Sequence, residues 1–259
     1  MADKPVLWHI PVSHYNEKAR WALDYKRVEH ERHSPPPPSH MAVALWLTRG
    51  SGKTFPVLQM DGEVYGDSSE IIAALERAYP EPALYPEDLD ERRKALEIED
   101  FFDEEVAPHV RLLVWHEAIK DREAWGRFAS STLPSPLRAG GQRLAGAMGS
   151  SFVRLRYGVA DPDAASEARD RVAAGMARID AELEDGGDYL AGDAFSVADL
   201  TAAAIMYPMV MPPEGPKALV ELPPRFDEYR RSFAERPSCA WIAETFRRHR
   251  KPVPAPTAV

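Results

Sequence analysis

GKTFPVLQMDGEVYGDSSEII, residues 52–72, decides the fold. A proline stands just inside an apolar run, Phe55-Pro56-Val57-Leu58. Asp61-Gly62 follows, and Asp67-Ser68-Ser69 precede Ile71 and Ile72. An Asp-Gly pair between apolar runs signals a hairpin, so strands are expected over 55–60 and 63–65. Proline lacks the ladder donor, so Pro56 belongs at an edge, a first strand position or a special bend. It reads either as strand-start punctuation or as a functional cis-proline. Asp67 and Ser68 cap the free backbone donors of the next helix. Alternatively, those donors and the positive dipole end form an anion site for a ligand carboxylate. Ile71, Ile72, Leu75 and Ala78 give that helix an apolar face, and it stops at Tyr79-Pro80.

Upstream, 5–12 reads as a buried strand. Ala19, Ala22, Leu23 and Tyr25 recur at helical spacing over 15–26. A second strand over 29–34 ends at the run Pro35–Pro38, which favours an extended polyproline segment. A short helix over 41–47 precedes a loop at Gly50-Ser51-Gly52. Downstream, the proline- and acid-rich stretch YPEPALYPEDLDERRK marks a linker, and everything beyond it reads as helical. One long pattern covers 89–120, with a bend or interruption expected at Pro108. Further helices are expected over 164–184, 197–207 and 240–248. The segment 135–158, with Gly140, Gly141 and Gly146, has no assigned element. The expected organisation is an α/β domain over 1–80, a linker over 81–88, an all-helical domain over 89–250, and a disordered tail over 251–259.

Composition narrows the class. Of the 259 residues, 44% are hydrophobic and 28% charged, enough for a sizeable core. The formal charge of -9 argues against nucleic acid or an anionic membrane as the main partner. No basic and apolar leader opens the sequence and no run approaches the ~20 apolar residues of a membrane span, so a cytoplasmic location is expected. Cys239 is the single cysteine, which excludes an intrachain disulfide and a CxxC redox pair.

Three motifs carry a family resemblance. Residues 5–79 resemble the thioredoxin-like N-terminal domain of the glutathione S-transferases. TFPVL looks like that family's cis-proline segment, and GDSSEII looks like its acid-Ser-x-x-Ile helix start. SHYNEKARWALDYK, residues 13–26, is similar to the first helix of the family, which follows a Ser or Cys and carries a basic-x-Arg-x-Ala-Leu pattern. FSVADL, residues 195–200, matches its C-terminal helix-capping signature, with Ser196 at the N-cap and Asp199 returning a bond. The implied architecture is a thioredoxin-like α/β domain joined to an all-α domain.

The resemblance also implies roles. The backbone of Phe55, before Pro56, pairs with the cysteinyl part of glutathione, and Asp67 and Ser68 take the γ-glutamyl end. Lys53 lies one position further from the proline than the family's basic residue. Ser13 donates to the thiol sulfur and is not itself the nucleophile. A free thiol has a pKa of about 8.5, which falls near helix N-termini, and a hydroxyl donor favours the ionised form further. The competing reading is that Ser13 only caps the helix. Tyr15 is the neighbouring alternative donor, ahead of His14. Tyr15, Trp115 and Tyr207 line the electrophile pocket, or else are ordinary core aromatics.

The implied activity is transfer of glutathione, as co-substrate, to a small hydrophobic electrophile by a homodimer with no metal. Glutathione-dependent isomerisation or ether cleavage would share the thiol half-site. Disulfide exchange is disfavoured, because Ser13 and Asn16 occupy the CxxC positions. The rival readings are a non-catalytic ligand-binding or interaction protein, and a member using another low-molecular-weight thiol. His109 and His116 lack a third ligand and read as ordinary helix histidines; Cys239 reads as structural.

Overall fold

The computed structural model describes residues 4–36, 39–131, 135–217 and 223–251. Its first layer is a four-stranded sheet of β1 (Val6–Trp8), β2 (Glu31–His33), β3 (Val57–Met60) and β4 (Glu63–Tyr65), ordered β2-β1-β3-β4. β1 is parallel to β2 and antiparallel to β3, and β3 is antiparallel to β4. Asp61 and Gly62, at φ 53° and 84°, form the left-handed pair that a tight hairpin needs. The first two strands are shorter than the expected 5–12 and 29–34, because Pro5 and Pro11 remove ladder donors on either side of β1. Beyond the paired residues, Glu31 N–H donates to the Pro5 carbonyl at 2.8 Å and His9 N–H to the His33 carbonyl at 2.8 Å. α1 (His14–Tyr25) crosses from β1 to β2, α2 (Ser39–Leu47) leads to β3, and α3 (Ser68–Ala78) follows β4. The Phe55–Pro56 peptide is cis.

The remaining elements are helical: α4 (Leu89–Asp100), a π segment (Phe101–Val106), α5 (Ala107–Ala118), α6 (Arg122–Ser131), α7 (Ser135–Tyr157), α8 (Pro162–Glu182), α9 (Val197–Val210), α10 (Pro224–Arg231) and α11 (Pro237–His249). Two expectations are corrected here. The break in the 89–120 pattern is the π segment; Pro108 lies in the first turn of α5, where a missing N–H is not needed. α9 does not stop at Tyr207 but runs through Pro208 to Val210, ending on Met211 at φ 56°. The segment without an assigned element, 135–158, is almost entirely the helix α7, while α6 and α10 lie in the part read as helical but outside the individual helices expected there. The disorder expected for 251–259 falls, from residue 252 onward, outside the described residues, as do two prolines of the 35–38 run.

α9 is buried on nearly every side and forms the axis of the main core, packed against α1, α4 and α11. Its capping box is complete. Asp199 accepts from Ser196 N–H at 2.8 Å and Leu190 N–H at 2.8 Å, and Ser196 Oγ accepts from Ala198 N–H at 3.3 Å. From beyond α11, Arg250 returns to α1, donating to Glu17 at 2.5 Å and Asp24 at 2.7 Å. Trp21 Nε1 donates to the His249 carbonyl at 3.2 Å beside it. Among the described residues, no helix is long and apolar enough to cross a membrane.

Candidate functional site

α1 and α3 both begin at one cavity of about 500 Å³, so two helix N-termini and their positive dipole ends face the same space. Ser13, Phe55, Pro56, Asp67 and Ser68 all line it, and so do Tyr15, Trp115 and Tyr207. Lys53 is exposed and Thr54 takes the place in the wall beside Phe55.

Ser13 is the N-cap of α1 by backbone angles, yet its side chain makes no capping bond. Asp67 does cap α3, accepting from Ser69 N–H at 2.8 Å and Glu70 N–H at 3.3 Å. Ser68 opens that helix and is buried. The phenol of Tyr15 donates to the Asp103 carbonyl at 3.2 Å, and burial holds its pKa above the ordinary tyrosine range. Tyr207 is similarly committed, donating to the Val12 carbonyl at 2.7 Å. Trp115 stacks edge-on against Trp125 at 5.7 Å and is half-buried at the rim of a satellite core.

Two groups that sequence reasoning passed over hold this wall in place. Asn16 is fully buried; it donates to the Phe55 carbonyl at 3.0 Å and accepts from Ile10 N–H at 2.9 Å, fixing the cis-proline loop to the start of α1. Lys18, also fully buried, donates to Ser69 Oγ at 2.8 Å and Glu99 at 2.6 Å, and to Asp103. Burial opposes its charge, but Asp103 and Glu99 outweigh that and hold its pKa above the ordinary lysine value. The cluster pins the start of α3 to the helical domain. Its signal in the sequence was the Lys-x-Arg pattern, whose partners lie far along the chain.

His14 is buried beside Ser13, and burial, then the Arg111 charge, push its pKa down to about 3. It is a neutral imidazole at ordinary pH, with Nε2 unpartnered. His116 Nδ1 donates to the Val159 carbonyl at 2.6 Å, a structural tie. Among the described residues, no cluster of His, Cys, Asp and Glu is arranged to hold a metal. Burial raises the pKa of the Cys239 thiol, which lies outside this cavity.

The chain can now be set beside known proteins. The family model for the glutathione S-transferase N-terminal domain matches residues 7–83, and that for the C-terminal domain matches residues 162–232. No curated protein matches the chain in sequence. Among solved structures, the beta-etherase LigF from Sphingobium sp. strain SYK-6 is 20% identical, with 93% of this chain and 99% of that one covered and a TM-score of 0.61. A glutathione transferase from Phanerochaete chrysosporium is 18% identical over 95% and 97% of the two chains, with a TM-score of 0.62. FzlA from C. crescentus is 21% identical over 99% and 97%, with a TM-score of 0.58. At these identities the likeness is one of fold.

Proposed function

The chain belongs to the glutathione S-transferase family, and from that premise we propose that it binds glutathione, stabilises its thiolate and transfers it to a hydrophobic electrophile. The observation that carries the reading is Ser13. Its hydroxyl stands at the start of α1 without a capping bond, in the wall it shares with Phe55, Pro56, Asp67 and Ser68.

In this reading the γ-glutamyl carboxylate meets the Ser68 N–H and hydroxyl at the start of α3, where the helix dipole favours an anion. The ammonium faces Asp67, and the cysteinyl backbone pairs with Phe55. The sulfur then reaches Ser13, which donates to it and favours thiolate over thiol. Ser13 is the better donor of the two candidates, because the Tyr15 phenol already serves the Asp103 carbonyl. The thiolate lone pair forms the S–C bond. Either a leaving group departs with its electron pair, or a conjugated acceptor takes up the charge and is protonated.

Ser13→Ala should lower turnover about 100-fold, the usual cost of losing one donor to a developing anion, with only a small change in glutathione affinity. Calorimetry with Asp67→Ala should show binding weakened about tenfold, as for a lost charge-assisted bond. Undiminished turnover in the Ser13 variant would sink the assignment. No binding of glutathione, with or without another thiol in its place, would point to a changed cofactor or a retired site.

A further inference from the structure

The geometry points to Arg111 as the recognition point for a carboxylate on the electrophilic co-substrate, an inference that rests on the transferase reading above. Arg111 projects from α5 into the cavity wall. Its guanidinium stands 5.6 Å from the Tyr15 ring centre and 4.9 Å from that of Tyr157. Two aromatic faces fix the orientation of the cation without satisfying its N–H donors. Nε is buried with no partner, and no described carboxylate pairs with the group.

That sets Arg111 apart from the buried cations of the molecule. Lys18, Arg20, Lys26 and Arg250 each reach a carboxylate within ordinary ion-pair distance. A partly desolvated cation without a counter-ion is costly, and a planar fork held rigid is suited to bidentate capture of a carboxylate.

The cavity carries charges of both signs. Asp67, Asp100, Asp103 and Glu104 line it together with Arg111, and Asp103 keeps one buried oxygen unpartnered. Asp103 and Arg111 are eight residues apart along successive helical segments, roughly 12 Å by helical rise. The acids suit the ammonium of the thiol substrate, which leaves the cation for its partner. Val114, Trp115, Phe128 and Pro208 supply apolar surface in the same cavity. The co-substrate class is therefore an apolar, aromatic-bodied electrophile bearing a carboxylate.

The test uses para-nitrobenzoate and nitrobenzene, which differ by the carboxylate alone and do not react with thiols under the assay. Binding to the glutathione-loaded protein is read by quenching of tryptophan fluorescence. The wild type should prefer the benzoate about tenfold, the size of a charge-assisted bond in a wet cavity. Arg111→Gln should abolish the preference, and Arg111→Lys should keep part of it, since the charge remains without the fork. Equal binding of both probes by the wild type, or a preference that survives in Arg111→Gln, overturns the proposal. So does a comparable loss of glutathione affinity in that variant, which would assign Arg111 to the tripeptide. Neither probe turns over, so the preference is read independently of turnover: failure of the Ser13 test would remove the transferase reading and leave the anion site standing.

Discussion

On one side of the cavity, Ser13, Phe55, Pro56, Asp67 and Ser68 present backbone groups and short polar side chains, each within a residue or two of a turn or helix start. On the other, Arg111 and Trp115 reach in from α5, Phe128 from α6, Tyr157 from α7 and Tyr207 from α9. The first wall is held by buried polar bonds: Asn16 to the Phe55 carbonyl, and Lys18 to Ser69, Glu99 and Asp103. The second is held mainly by ring stacking and by close approach of two helices, with one directed bond from the Tyr207 phenol to the Val12 carbonyl. Bonds of fixed direction keep the thiol chemistry in one geometry, whereas packed aromatics can be exchanged with modest loss. A fold so divided can retain its reaction while its choice of substrate changes.

The largest expected effect breaks the first wall. Lys18→Met keeps most of the volume but leaves Glu99 and Asp103 buried against each other, and should cost about 3–5 kcal/mol in denaturant unfolding. A loss below about 1 kcal/mol would mean that the cluster does not anchor α3. Acid should come next. The folded chain holds His14 near a pKa of about 3 against an ordinary value of 6.5, through burial and the Arg111 charge. The neutral form is thus favoured by folding. Its contribution is fully present above pH 6.5 and is lost as pH falls toward 3, reaching about 2 kcal/mol by pH 5. His9, pushed down to about 3 by burial and then Arg20, adds a similar slope. His14→Gln should therefore flatten the melting-temperature profile between pH 5 and 7; an unchanged profile would mean that His14 does not titrate with folding.

The smallest effect touches only the second wall. A Cβ at Gly146 would come within 3.2 Å of Gly126 Cα across the α6–α7 contact. Gly146→Ala should cost about 1 kcal/mol and weaken electrophile binding a few-fold, while calorimetric glutathione affinity stays within about twofold of wild type. Equal losses for both ligands would mean that the two walls are coupled, not independent.

The same division explains what could be read from the chain alone. The Asp61-Gly62 hairpin, the Asp67 cap and the Ser196–Asp199 box are local devices, fixed by residues within three positions of one another. Lys18 shows the limit: its partners Glu99 and Asp103 lie 81 and 85 residues away, so the Lys-x-Arg pattern was visible but its purpose was not. α7 shows another. Its glycines lower helix propensity and left 135–158 without an element. In the structure, Gly146 and Gly149 lie against Gly126 and Trp125, and the Trp125 indole donates to the Gly146 carbonyl at 2.9 Å. Tertiary packing overrides the local preference there. Arg111 had no motif to announce it, because its aromatic clasp joins three separate helices.

The bond from Arg250 back to Glu17 spans 233 residues of sequence. Loop-closure entropy grows only logarithmically with length, so so long a reach adds little to the thermodynamic cost. Its consequence is one of redundancy. Glu17 and Asp24 already face Arg20 at 2.7 Å and Arg32 at 2.6 Å, so Arg250 adds a second cation to two acids that are not left bare without it. The helix that begins at Ser13 is thereby tied to the segment beyond α11 without depending on it for charge.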